Sequence, residues 1–155
     1  MNFLYSEYHF EPISMNYDGS SLLAVGRSDG KVSIILVTDE KFMHSVTLTI
    51  DDTDFDQSMG EQPQSVESVK FQPDSNRKLL ACGCVNGIVK LFEQNKASQS
   101  WILQRQFETP DNSGVLNMKW FHIKEETGMS HGGPRILGKY LLKIGIGLLV
   151  PFSVF

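Results

Sequence analysis

The chain has 155 residues and a formal net charge of −4. That length holds one ordinary domain with a sizeable core, and the acidic balance argues against an autonomous nucleic-acid binder, because phosphate contacts need clustered Lys and Arg. The only two cysteines, Cys82 and Cys84, exclude a disulfide framework and a four-ligand zinc site of the C-x(2–4)-C type, and point to a reducing, intracellular compartment.

In chain order, "MNFLYSEYHFEP" carries no basic n-region and has Glu7 early, so no secretory signal is expected there. Apolar residues then fall at alternate positions in "SMNY", as a half-buried strand requires. Four strands are predicted in this first unit: Ile13–Tyr17, Leu22–Gly26, Lys31–Leu36 and Ser45–Ile50. The segment 51–64, "DDTDFDQSMGEQPQ", is polar, acidic and contains breakers, so it reads as an exposed loop that cannot offset the entropy of ordering.

A second unit repeats the first. "LLAVGRSDGKVSII" (Leu22 to Ile35) and "LLACGCVNGIVKLF" (Leu79 to Phe92) coincide when Leu22 is laid on Leu79. Gly26 then falls on Gly83, Asp29 on Asn86, Gly30 on Gly87 and Val32 on Val89. Upstream, Met15 falls on Val69 and Tyr17 on Phe71. "WILQRQF" (Trp101 to Phe107) supplies a fourth strand, as "SVTLTI" does in the first unit. Asp29-Gly30 and Asn86-Gly87 are strong hairpin signals, since both residues of each pair tolerate φ > 0.

The first-strand pattern returns once more in "GVLNMKWF", with Met118 on Val69, Lys119 on Lys70 and Trp120 on Phe71. After it, residues 128–155 carry neither the Leu-Leu-Ala nor the Asp-Gly signal and read as a divergent apolar tail. That tail is interrupted by Lys139, Lys143 and Pro151, which argues against a membrane span of about 20 apolar residues. Four short strands repeated at this interval are the signature of a β-propeller blade. The expected organisation is all-β: an incomplete propeller over 1–127, with units at 11–50 and 65–108, a partial unit at 113–123 and the 51–64 loop between the first two.

These residues resemble a known family. The two hairpins look like the central hairpin of WD repeats, with Ile35-Leu36 and Phe92-Glu93 standing where Trp-Asp would be. The second unit is similar to a blade of the Seh-one and Sec-thirteen group of nucleoporins and coat proteins. Val69-Lys70-Phe71, Pro73, Leu80-Ala81, Gly87-Ile88, Leu91-Phe92 and Ser100-Trp101-Leu103 carry that similarity. The resemblance implies a non-enzymatic WD-repeat scaffold of the nuclear-pore outer ring, involved in nucleocytoplasmic transport. It further implies a location at the nuclear envelope and a larger α-helical partner that adds β-structure to an open propeller. The alternative is a generic WD-repeat adaptor of another complex, in vesicle coats, nutrient signalling at the vacuolar or lysosomal membrane, ribosome assembly or ubiquitin ligation.

No constellation in the sequence names a reaction. Asp52, Asp54 and Asp56 alternate, but Gln57 and Pro63 stand where a calcium loop needs Gly and Glu. His9, His44, His122 and His131 are scattered. "HGGP" at 131–134 has no nucleophile elbow to accompany it. No enzyme activity, cofactor, metal site or direct nucleic-acid contact is expected. Asp29, Gly30, Asn86 and Gly87 are read as structural turn residues, and Cys82 and Cys84 as small core hydrophobes. Trp120 reads as packing between blades. Trp101, opening an outer strand, either packs or anchors an interface.

Overall fold

A computed structural model describes residues 10–39, 41–50, 64–73, 77–110, 114, 115, 117–130, 133–144 and 148–153. Three antiparallel sheets follow one another along the chain, and no α-helix occurs among the described residues. The first sheet is β1 (Pro12–Tyr17), β2 (Leu22–Arg27), β3 (Lys31–Val37) and β4 (Phe42–Thr49), in that spatial order. The second is β5 (Val66–Phe71), β6 (Leu79–Cys84), β7 (Ile88–Gln94) and β8 (Trp101–Glu108), again in chain order. The third is β9 (Met118–Ser130), β10 (Gly133–Ile144) and β11 (Leu148–Ser153), with β10 in the middle. Its first two strands have 13 and 12 residues against 6 in β1 and β5, so it is no copy of the other two. The segment 128–155 contributes to all three of its strands. The acidic stretch 51–63, with Asp52, Asp54 and Asp56, lies outside the described residues.

The sequence repeat is a repeat of registers. Met15 pairs with Val25 and Val69 with Cys82; Val32 pairs with Leu48 and Val89 with Phe107. Both first strands break register at matched points, between Pro12 and Ser14 and between Val66 and Ser68. Both third strands do so too, between Ile34 and Ile35 and between Leu91 and Phe92. The backbone bonds outside the ladders also match: Ser28 N donates to Glu11 O as Val85 N does to Ser65 O, and Ile50 N to Gly30 O as Thr109 N does to Gly87 O. Bulges sharpen the local twist, so two sheets bulged alike are twisted alike and can stack.

The hairpin turns sit at the predicted dipeptides with a different geometry. Gly87 N donates to Cys84 O at 3.1 Å, which places Val85 and Asn86 at the centre of the turn. Only Gly30 (φ 79°) and Gly87 (φ 92°) take the left-handed conformation; Asp29 and Asn86 do not. Each is therefore a three-residue loop closed by a left-handed glycine at a bulge, the next most common hairpin after the two-residue form.

Packing repeats as well. Ala24, Val32 and Ile34 of the first sheet share a core with Val69 and Phe71 of the second. Their matches Ala81, Val89 and Leu91 share a core with Met118 and Trp120 of the third. Each sheet thus presents the same positions to its successor. Cys82 and Cys84 are not disulfide-bonded and lie buried in the first of these cores, and burial pushes the Cys82 thiol well above its ordinary value, with Cys84 adding to the rise. Such a thiol stays protonated and behaves as a small hydrophobe.

The matched glycines are where the sheets touch. A Cβ on Gly26 would stand 2.1 Å from Ser14 Oγ and 2.5 Å from the carbonyl oxygen of Val66, the residue that opens β5. A Cβ on Gly83 would stand 2.3 Å from Cγ1 of Val115, just ahead of β9. Ser14 Oγ donates to that same Val66 carbonyl at 2.8 Å. Gly26→Ala and Gly83→Ala should each destabilise the chain by about 1–3 kcal/mol, as overpacking does. Urea denaturation of the two variants, read as a shift in midpoint at constant slope, measures this.

Candidate interaction surface

The turn residues singled out in the sequence have concrete partners. Asp29 accepts from Arg27, Nε to Oδ1 at 3.0 Å with Nη2 on Oδ2, a two-pronged pair. Arg27 is buried; Nη1 donates to Ser33 Oγ at 3.2 Å and its guanidinium lies 3.6 Å from the centre of the Phe10 ring. Asn86 Oδ1 accepts from Ile88 N at 3.2 Å, closing its own turn. Gly30 and Gly87 supply the left-handed residue. These four residues hold hairpins and do not converge on one site.

Trp101 is half-buried and packs against the core between the first and second sheets, its ring centre 6.3 Å from that of Phe71. Its indole Nε1 is buried without a hydrogen-bond partner among the described residues. Its described packing is thus with the core inside this chain. Trp120 packs between the second and third sheets, and its Nε1 donates to Lys70 O at 3.1 Å.

A tie that the sequence did not disclose joins the first two sheets. Asp18, in the turn between β1 and β2, accepts from the backbone amides of Ser20, Ser21 and Leu22 at 2.8–2.9 Å. Its other oxygen takes the Lys78 ammonium, from the turn before β6. Burial alone raises this carboxyl. The Lys78 contact and the three amides outweigh burial and hold Asp18 well below the usual carboxylate range. In the sequence this residue read only as part of a "YDGS" turn; nothing local marked Lys78 as its partner.

The outward face of the first sheet is where the repeat stays incomplete. Met15 and Tyr17 are 61% and 48% exposed, whereas their matches Val69 and Phe71, covered by the first sheet, are 1% and 7% exposed. Phe42, which pairs with Val37 as Trp101 pairs with Gln94, is 46% exposed. Ile13 adds a third exposed apolar side chain on β1. Full burial of a side chain of this size contributes roughly 1.5–3 kcal/mol, so Met15 and Tyr17 forgo what Val69 and Phe71 realise. Only part of this face is covered: Phe10 packs on Val25 and Ile35.

Among the described residues no three His, Cys, Asp or Glu side chains come together to hold a metal ion. No helix among them is long and apolar enough to cross a membrane. His9 and His131 lie outside the described residues. Searches of protein-family models, curated proteins and solved structures found no match to the chain.

Asp18 gives a pH signature. Its folded carboxyl titrates below the unfolded value of about 4, so its contribution is complete above that value and is lost as pH falls below it. Asp18→Ala leaves three amides and an ammonium without their acceptor and should cost about 1–3 kcal/mol at pH 7. The difference from the parent should hold constant between pH 7 and 5 and shrink below about pH 4. Thermal melts of both proteins across that range check it, and a difference independent of pH down to 2 would contradict it.

Proposed function

We propose that this chain is a non-enzymatic WD-repeat scaffold, a segment of β-propeller whose outward first-sheet face is completed by β-structure from a protein partner. The observation that carries the reading is the mismatch between matched positions: Met15 and Tyr17 exposed, Val69 and Phe71 buried. Two further features support it. The first two sheets are four-stranded, antiparallel and of one register, and the first strands of successive sheets lie side by side, β1 by β5 and β5 by β9. Radially stacked blades of this kind have their first strands innermost. At roughly 40 residues per blade, with four to eight blades to a closed ring, the three sheets described leave a ring open.

The resemblance of residues 65–108 to a Seh-one-type blade makes the partner a larger α-helical scaffold subunit. It makes the place of work the nuclear-pore outer ring, with a role in nucleocytoplasmic transport.

Two measurements test the proposal. The purified chain should self-associate and melt over a broad range, because an open apolar sheet face drives association. A monodisperse monomer with a sharp cooperative transition would overturn the claim of incompleteness. A fluorescent fusion of the full chain should mark the nuclear rim in a nucleated cell, and a Met15→Lys/Tyr17→Lys double variant should become diffuse. A signal that is diffuse from the start removes the nuclear-pore assignment; a rim signal that ignores the double substitution removes the docking face.

A further inference from the structure

The outward face of the first sheet carries an aromatic that the repeat does not supply. Counting back from the match of Met15 with Val69, Phe10 stands where Gln64 stands ahead of the second sheet. Phe10 is buried and packs on Val25, Ile35 and Leu23. The matches of those three residues are Cys82, Phe92 and Leu80, and all three belong to the core that the first sheet covers. Phe10 therefore occupies, over the middle of its own sheet, the place that a whole neighbouring sheet fills at the next junction. The aromatic is present in the unit whose face lacks that neighbour and absent from the unit that has it.

Arg27 completes the seat. Its match Cys84 is buried in that same core. The Arg27 guanidinium instead lies 3.6 Å from the centre of the Phe10 ring, with its nitrogens on Asp29 and Ser33. Around this covered centre, Met15 and Tyr17 on β1 and Phe42 on β4 stay open. A partner sheet that packs here as the first sheet packs on the second cannot share the centre with Phe10. Just ahead of β1, Glu11 N donates to Ser28 Oγ at 2.8 Å and Ser28 N donates to Glu11 O at 2.9 Å, which holds the chain beside Phe10 in place.

We propose that Phe10 is an intramolecular stand-in for the partner: it closes the centre of the docking face in the free chain and is displaced when β-structure from the partner covers that face. The inference rests on the reading of this face as a docking surface and adds its regulation. The apparent affinity of the face is lowered by the fraction of chains in which Phe10 is displaced. In return the free chain keeps Val25 and Ile35, both 0% exposed beneath it, out of indiscriminate association. Arg27 stays where it is on displacement, because Asp29 and Ser33 hold its nitrogens.

Sedimentation velocity of the full chain tests this, with self-association as the probe of the open face. Phe10→Ala should lower the concentration at which the chain associates by roughly tenfold, the size of one displaced apolar contact. Adding Met15→Lys/Tyr17→Lys should abolish that association, with circular dichroism unchanged. If Phe10→Ala associates no more readily than the parent, while the lysine pair still suppresses association of the parent, the stand-in is overturned and the docking face stands. If neither chain associates, the docking face itself fails and takes the stand-in with it. Native-state hydrogen exchange on the parent decides the matter even where Phe10→Ala does not fold. The Ser28 amide, bonded to Glu11 O, should exchange far faster than its match Val85, bonded to Ser65 O, because Phe10 leaves by a local opening of the chain ahead of β1. Equal protection of the two amides overturns the proposal.

Discussion

A sheet that is apolar on both faces cannot bury them by itself, and the architecture of this chain follows from that constraint. β6 is buried along its whole length: Leu80, Cys82 and Cys84 face one neighbouring sheet and Ala81 the other. A strand of this kind is stable only when sandwiched. The second sheet is sandwiched and the first is covered fully on one side only. The chain therefore stacks its sheets in series, and the same positions meet at each junction because the sheets themselves repeat.

Stacking of greasy faces is unspecific, and three devices give it a register. Gly26 and Gly83 remove the one Cβ that would hold neighbouring sheets apart. Ser14 then bonds across the gap to Val66. The Asp18–Lys78 pair fixes the other end of the first junction. The second junction solves the same problem differently. Gln72 stands where Asp18 stands, its backbone N–H bonding Leu79 O as that of Asp18 bonds Leu22 O, yet its buried side-chain amide has no partner among the described residues. There the tie is the Trp120 indole on the Lys70 carbonyl. A repeat copied in backbone can diverge in its polar fastenings, because each fastening need satisfy only its own junction.

The same logic accounts for the outward face of the first sheet. The outward face of the first sheet is a junction half without its other half, so its chemistry is that of a core: Met15, Tyr17 and Phe42. At the completed junction between β5 and β9 the matched residues Met118 and Trp120 are covered instead.

Period-two alternation and the spacing between Leu22 and Leu79 determined from the sequence alone that the chain is all-β, that its first two units are four-stranded, and which residues match. Those features are local: a strand's faces and a glycine at a hairpin bulge are set by neighbours along the chain. What local reasoning missed was set by distant residues. Both residues of each turn dipeptide tolerate φ > 0, but only the glycine takes it, because the loop has three residues. It started β4 at Ser45, three residues late, because Phe42–His44 are exposed and join the strand only by pairing with β3. The pairing of β10 with β9 and of β11 with β10, the partnership of Asp18 with Lys78, 60 residues apart, and the exposure of Met15 and Tyr17 were decided by tertiary structure. Burial depends on whether another sheet covers a side chain, and the residue and its near neighbours are the same in either case.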